Sequence, residues 1–304
     1  MESLSLRNVL IVTKARVPEA AELGQTIARW MQKRCQAVNI VMAEQSSPFY
    51  QDPELDLVII LGGDGTILGV ARRVFGRKIP LVSINFGRVG FLSDIEPGNW
   101  EERLSAILAE GGVYRSLAGL RWKLYRFGHL IHSGTAVNDV VIGRSGMARL
   151  VYVDISVNGE RMGDVRADGF ILGTPMGSSG YCISAGGPLL QTTLNVVNFV
   201  PVCPFLNIIP PMVFDCHTVF RFHMLPGTTD SYLTLDGQEG HIVQTNDVIE
   251  VECCPDCVRF LGKGISLIER IRTRSLILQN PLDKLPQAGA APEDEEDADE
   301  GQPL

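Results

Sequence analysis

The run Leu57-Val58-Ile59-Ile60-Leu61-Gly62-Gly63-Asp64-Gly65-Thr66 decides how this chain folds. An apolar run without a polar break reads as a strand buried on both faces, the habit of a parallel sheet covered by helices. The glycines end that strand, and a helix is expected from Ile67 to Phe75 with Thr66 as its N-cap. Gly62, Gly63 and Gly65 carry no Cβ, so the backbone can take positive φ and approach an anion closely. The free N–H groups and dipole of the helix favour the same negative charge. Asp64 is then costly in an anion cradle unless it holds a metal or accepts a proton. Read alone, the motif also suits a tight strand-to-helix turn with a solvated aspartate, the lesser of the two readings.

Outward from this stretch, strands and helices alternate. Asn8 to Thr13, Ala37 to Met42 and Pro80 to Ile84 are strand-like. Pro18 to Cys35 carries Leu23, Ile27, Trp30 and Met31 on one helical face, and Trp100, Leu104, Ile107 and Leu108 mark another helix. The pattern predicts an N-terminal α/β domain with a mostly parallel sheet over residues 1–116. Near Leu117 the period becomes two: Val151, Val153, Ile155 and Val157 alternate with polar neighbours, as do Phe220, Phe222 and Met224. Residues 117–259 therefore read as an all-β sandwich domain. Residues 260–280 read as a return segment, with a helix from Leu267 to Leu278 packing back on the first domain through Ile268 and Ile271. Residues 281–304, rich in proline and acid, read as a disordered tail.

The net charge of −8 comes largely from acids between Glu293 and Glu300, and the body is close to neutral. No basic stripe is present, so nucleic acid is not an expected partner. No apolar run approaches the ~18 residues of a membrane span, and the N-terminus enters Asn8 to Thr13 as a core strand and not a signal peptide. Seven cysteines, odd in number and scattered, fit a reducing compartment better than a disulfide framework, which points to the cytoplasm. Cys254 and Cys257 have CxxC spacing, but no second pair completes a zinc site, and an inert hairpin turn is the simpler reading. Cys216, His217 and His241 would contribute only if the fold brought them there. His129 and His132 are three apart in a strand-like stretch, so they face opposite sides and are not read as ligands.

Further turns carry chemistry. Ligands of parallel sheets sit beyond the carboxyl ends of the strands. The turn Asn85-Phe86-Gly87-Arg88-Val89-Gly90 should therefore share a crevice with Gly62 to Thr66. Asn138-Asp139 offers two short polar side chains that suit ribose hydroxyls, or a plain turn. Ala167-Asp168-Gly169 leads to Gly173-Thr174-Pro175-Met176-Gly177-Ser178-Ser179-Gly180-Tyr181, and then Ala185-Gly186-Gly187-Pro188. So long a loop, dense in Gly, Pro and hydroxyls, is more than a connection. Asp236-Gly237-Gln238 reads as a hairpin turn with an amide available to a ligand.

Taken in order, these motifs resemble the NAD kinase family, whose pattern runs GGDGT, N-x-G-x-x-GFL, N-[DE], [SA]DG, TPTGSTAY-x-x-SAGGP and DGQ. Here they stand as GGDGT at Gly62, NFGRVGFL at Asn85, ND at Asn138, ADG at Ala167, TPMGSSGYCISAGGP at Thr174 and LDGQ at Leu235. The chain departs from the pattern at Phe86, Met176, Ser179 and Gly180. The resemblance implies phosphorylation of the adenosine ribose 2′-hydroxyl of NAD by ATP or polyphosphate, with a divalent metal (Mg or Mn), in a homodimer or homotetramer. It implies that Asp64 accepts the proton and that Asp64 and Gly65 contact NAD. Asn138, Asp139, Asp168, Ser179, Gly180, Tyr181, Cys182, Ile183, Ser184 and Gln238 are implied as further NAD contacts. Arg149 and Arg166 match positions flanking the motifs. Two other readings stand beside it: a GGDGT lipid kinase, which needs an apolar acyl cleft where this chain has Ser, Gly and Asp, and a nucleotide-binding regulator that has lost catalysis.

Overall fold

The computed structural model describes residues 6–87, 92–110, 113–144, 150–206, 209–227, 231–264 and 266–273. The first third folds as β1 (Asn8–Thr13), α1 (Pro18–Met31), β2 (Ala37–Met42), β3 (Leu55–Gly62), α2 (Asp64–Arg73), β4 (Pro80–Asn85) and α3 (Trp100–Ala109). β1 pairs with β2 and β3, and β3 with β4, all in parallel. The uninterrupted apolar run of β3 is buried on both faces, as its composition requires. Leu57, Ile59 and Leu61 pack with Ile27 and Met31 of α1 on one side. Val58 and Ile60 pack with Ile67, Val70 and Ala71 of α2 on the other. Each such side chain contributes about 1.5–3 kcal/mol by burial. Because α1 and α2 lie on opposite faces, the crossover direction reverses between β1 and β3.

Two helix ends differ from the sequence expectation. α1 stops at Met31 and not Cys35, where Arg34 folds back over Trp30 (3.6 Å to the ring centroid) and donates to the Trp30 carbonyl. α2 starts earlier than expected: Gly63 is the N-cap, and Thr66 already donates its N–H to the Gly63 carbonyl at 2.9 Å. The helix dipole explains this, since it favours a carboxylate in the first turn and Asp64 supplies one.

The rest of the chain is β5 (Tyr114–Arg126), β6 (His129–Ala136), β7 (Asp139–Arg144), β8 (Val151–Val157), β9 (Glu160–Ala167), β10 (Gly169–Gly173), the single-turn α4 (Tyr181–Ser184), β11 (Val196–Val202), β12 (Met212–Asp215), β13 (Val219–Met224), β14 (Ser231–Leu235), β15 (Glu239–Val243), β16 (Val248–Leu261) and α5 (Leu267–Thr273). One sheet runs β2-β1-β3-β4-β16-β13-β8-β9, with β5 on β16 and β6 on β5; the second runs β12-β11-β10-β7-β14-β15. Between them lies a sandwich core in which Phe199 stacks between Phe170 and Phe220 at 6.2 and 5.8 Å. The expected α/β half with a largely parallel sheet and the all-β sandwich are both present. β16 joins them: its end pairs in parallel with β4 at Arg259–Pro80 and Phe260–Leu81, and its length pairs antiparallel with β5 and β13.

The Cys253-Cys254-Pro255-Asp256-Cys257 stretch is not a hairpin turn. It is an irregularity inside β16, where pairing with β5 shifts between Cys254 and Val258 and Asp256 takes a φ of +52°. A bulge absorbs extra residues without ending a strand. Cys216 and Cys253 form a disulfide in the sandwich core, which corrects the expectation of thiols throughout. The fold thus does bring Cys216 to this stretch, as a covalent partner and not as a metal ligand. Among the described residues no group of three or more His, Cys, Asp or Glu gathers as a metal site. In α5, Ile268 is exposed, and Leu267 lines a small pocket with Met176, Leu190 and Thr192. No helix among the described residues is long and apolar enough to cross a membrane. The expected acidic tail, and the helix beyond Thr273, lie outside the described residues.

Candidate active site

The turns after β3 and β4 meet as expected. A Cβ built on Gly63 would lie 3.2 Å from the Gly87 Cα, and one on Gly87 would lie 3.0 Å from the Gly63 Cα. Side chains at either position would push the two turns apart. The Phe86 N–H donates to the Gly62 carbonyl at 3.0 Å, which ties them together. Asp64, half-buried at the first position of α2, accepts from the Leu92 N–H at 3.0 Å. Its carboxylate is therefore oriented by the segment that follows the second turn. Arg88, Val89 and Gly90 lie outside the described residues.

Asn138 and Asp139 stand where β6 ends and β7 begins. Their placement comes from Asp236, in the turn between β14 and β15, whose buried carboxylate accepts the N–H groups of Val137, Asn138 and Asp139. Asn138 Oδ1 is buried without a hydrogen-bond partner among the described residues, an acceptor that a ligand hydroxyl would satisfy. Asp139 lies beside Asp236, and burial first, then the Asp236 charge, pushes its pKa up to about 7. Burial also raises Asp236, opposed by the three amides and by Arg72. The donors identify Asp236 as the member of the pair that carries the charge.

The Thr174 to Gly180 loop folds against this edge. Gly177 packs onto the Asn138 carbonyl so closely that no Cβ fits, and Thr174 Oγ1 donates to the Val137 carbonyl at 2.7 Å. A Cβ on Gly180 would lie 3.8 Å from Asn138 Nδ2 and 3.9 Å from Asp139 Oδ2, so Gly180 leaves that space open. The fold thus brings Asn138, Asp139 and Gly180 together. Ser179 follows on the same loop, its Oγ 3.5 Å from the Met176 carbonyl, and Tyr181 and Ser184 are exposed on α4. Ile183 is half-buried. Cys182 points inward against Ile171 and Val200, and burial pushes its thiol up to about 12; a contact through that side chain is not available. Asp168 pairs with Arg144 at 3.1 Å. Arg166 is exposed and stacked 4.4 Å above Tyr152. Arg149 lies outside the described residues. Met176, one of the four departures from the family pattern, is a core residue packed with Leu92, Leu117, Val137 and Phe260.

Gly65, the residue after Asp64, meets Gln238. Gln238 Nε2 donates to the Gly65 carbonyl at 2.8 Å, and its Oε1 accepts from Arg72 at 2.9 Å. Both line a cleft of about 670 Å³ with Lys14, Glu44, Thr66 and Arg73. Sequence reasoning did not single out Lys14, Glu44, Arg72, Arg73, Arg144 or the cradle built by Asp236. The signals available were the position of Lys14 just beyond β1 and the basic pair closing α2.

Two family models match the chain in order: the ATP-NAD kinase N-terminal domain over residues 48–113 and the ATP-NAD kinase C-terminal domain over residues 137–262. The NAD kinase of Nitratidesulfovibrio vulgaris (strain DSM 19637 / Miyazaki F) is 41% identical over 276 residues, covering 90% of this chain and 98% of that protein. Two solved structures share the fold at lower identity. Yeast NADH kinase complexed with NADH has a TM-score of 0.76 at 24% identity and covers 88% of this chain and 87% of that one. An NAD kinase from Archaeoglobus fulgidus in complex with ATP has a TM-score of 0.69 at 23% identity and covers 88% and 99%. Neither the lipid kinase nor the inactive regulator accounts for a full-length match of this kind. The chain belongs to the NAD kinase family.

Proposed function

We propose that the protein transfers the γ-phosphoryl group of ATP to the 2′-hydroxyl of the adenosine ribose of NAD, giving NADP and ADP, with Asp64 as the proton acceptor. The carrying observation is the Asp64 carboxylate, held by the Leu92 N–H in the first turn of α2, where the next residue, Gly65, lines the cleft and is tied through Gln238, Arg72 and Asp236 to the Asn138–Asp139 edge. The 2′-oxygen forms a bond to the γ-phosphorus as the bond from that phosphorus to the β,γ-bridging oxygen breaks. The hydroxyl proton passes to Asp64, and ADP leaves with the bond electrons. Phosphoryl transfer has a loose transition state, so alignment and charge stabilisation do most of the catalysis. General-base assistance adds roughly 10²–10⁴-fold.

Asn138 Oδ1 suits a ribose hydroxyl because it is a buried acceptor with no donor among the described residues. Asp139, Gly180, Tyr181 and Ser184 extend the acceptor surface from there, and Asp168 and Ser179 border it. A divalent cation fits this donor set. Mg²⁺ takes one or two carboxylates plus substrate phosphates and needs no all-protein cage. Glu44, in the cleft wall, would hold it together with the donor phosphates, where it would neutralise charge on them. A homodimer or homotetramer and a cytoplasmic location belong to the same proposal; light scattering reads the first. Asp64→Asn tests the core of it. NADP formation, followed with an NADP-specific dehydrogenase, should fall about 10²–10⁴-fold in kcat with KM for NAD little changed. Near wild-type turnover in a folded variant would refute the assignment.

A further inference from the structure

Strand order and crossover direction place the large cleft at the one point where α/β sheets build nucleotide sites. α1, which follows β1, covers one face of the sheet, and α2, which follows β3, covers the other. Ligands bind outside the strand carboxyl ends at such a reversal. The residues there are Lys14, directly after β1, Glu44, just past β2, and Gly63, Gly65 and Thr66, after β3.

The charges in this cleft are unequal in a telling way. Arg72 is spent: it pairs with Asp236 at 3.5 Å and Glu239 at 3.2 Å and donates to Gln238. Lys14 and Arg73 make no ion pair with any described residue. Arg73 is nevertheless held in place, since its NH1 donates to the Ala43 carbonyl and to Tyr50 Oη at 3.3 Å, and its guanidinium lies 5.0 Å over the Tyr50 ring. That leaves Nε and NH2 without a partner among the described residues. A guanidinium fixed at one edge and open at the other is pre-arranged for phosphate oxygens. The cleft volume of about 670 Å³ lies within the ~300–1,000 Å³ typical of small-molecule sites.

We propose that Lys14 and Arg73 are the residues that recognise the donor polyphosphate, which therefore enters over the β1/β3 reversal and reaches Asp64 from the Gly65–Gln238 side. The proposal rests on the kinase reading given above. It shifts Gly65 and Gln238 from the acceptor surface to the wall between the two substrates, because their hydrogen bond to each other closes that wall.

Lys14→Met is the cleanest test, since the Lys14 side chain is half-buried and makes no hydrogen bond among the described residues, so folding is spared. Arg73→Gln is the second variant. Initial rates with ATP and NAD varied separately should show KM for ATP raised about 10- to 100-fold in each variant, the loss of one charge-assisted phosphate contact. KM for NAD should stay within about twofold, and Lys14→Arg should restore most of the ATP affinity. Unchanged KM for ATP in Lys14→Met, or an equal rise in both KM values, would overturn the assignment. Calorimetric titration of ATP into the NAD-free protein separates this from the kinase reading. A wild type that forms no NADP refutes that reading alone, whereas ATP binding undiminished in both variants refutes this one.

Discussion

Replacing Asp139 with asparagine should make the protein more stable above neutral pH while weakening its hold on NAD. Asp139 is 6% exposed and sits beside Asp236, so ionising it buries a second negative charge. An aspartate moved from an ordinary value of about 3.9 to about 7 carries a cost of about 4 kcal/mol when ionised at pH 8. As pH rises through about 4, the unfolded chain gives up this proton first. Between about 4 and 7 the folded protein binds more protons than the unfolded one, so stability falls with rising pH and levels off above about 7. Integrated from pH 5 to pH 8, this group alone removes about 2.5 kcal/mol. Urea unfolding of wild type and Asp139→Asn at both pH values measures it, since titrating groups that do not interact with Asp139 cancel in the difference. The variant's relative stability should rise by about 2.5 kcal/mol from pH 5 to pH 8. A difference independent of pH, or one that shrinks, would refute the reasoning and return Asp139 to an ordinary carboxylate.

Other perturbations have outcomes set by the same contacts. Arg72→Met removes the cation from a buried carboxylate, Asp236, and should cost about 3–5 kcal/mol in chemical denaturation. Met176→Ala empties part of the core shared with Leu117, Val137 and Phe260, and should cost about 2–5 kcal/mol with KM for NAD unchanged. Reducing the Cys216–Cys253 bond, which closes a separation of 37 residues, should lower the urea unfolding free energy by about 2–4 kcal/mol; identical curves with and without dithiothreitol would show that it contributes nothing.

What could be read in the sequence was whatever is written locally. β3 is legible because burial on both faces leaves no room for a polar residue, and β8 because burial on one face forces alternation. The carboxylate at Asp64 was visible because a charge among glycines has few uses. What escaped depends on partners far away in the chain. β16 continues through Cys253 to Cys257 because β5 pairs on both sides of the irregularity, and no local period records that. Cys216 and Cys253 meet through strand pairing alone. Cys182 reads as part of a polar loop but turns inward because Ile171 and Val200 wait beneath it. Met176 could be seen as unusual, yet only the fold shows that its side chain left the polar surface for the core.

The same distinction explains why Asp236 and Gln238 matter more than a turn would suggest. Asp236 holds the amides of residues 137–139, Arg72 holds Asp236 and Gln238, and Gln238 holds the carbonyl of Gly65. The first turn of α2, where Asp64 sits, is thereby linked to the strand end that presents Asn138 and Asp139. A phosphoryl transfer whose catalysis is mostly alignment is sensitive to displacements of about 1 Å, which can cost about 10²-fold in rate. The buried Arg72–Asp236 pair is a poor way to gain stability, because desolvation offsets most of its attraction. Its value here is geometric: it ties the first turn of α2, which carries Asp64, to the strand end that carries Asn138 and Asp139, a task that an apolar contact of equal area, free to slide, would perform less well.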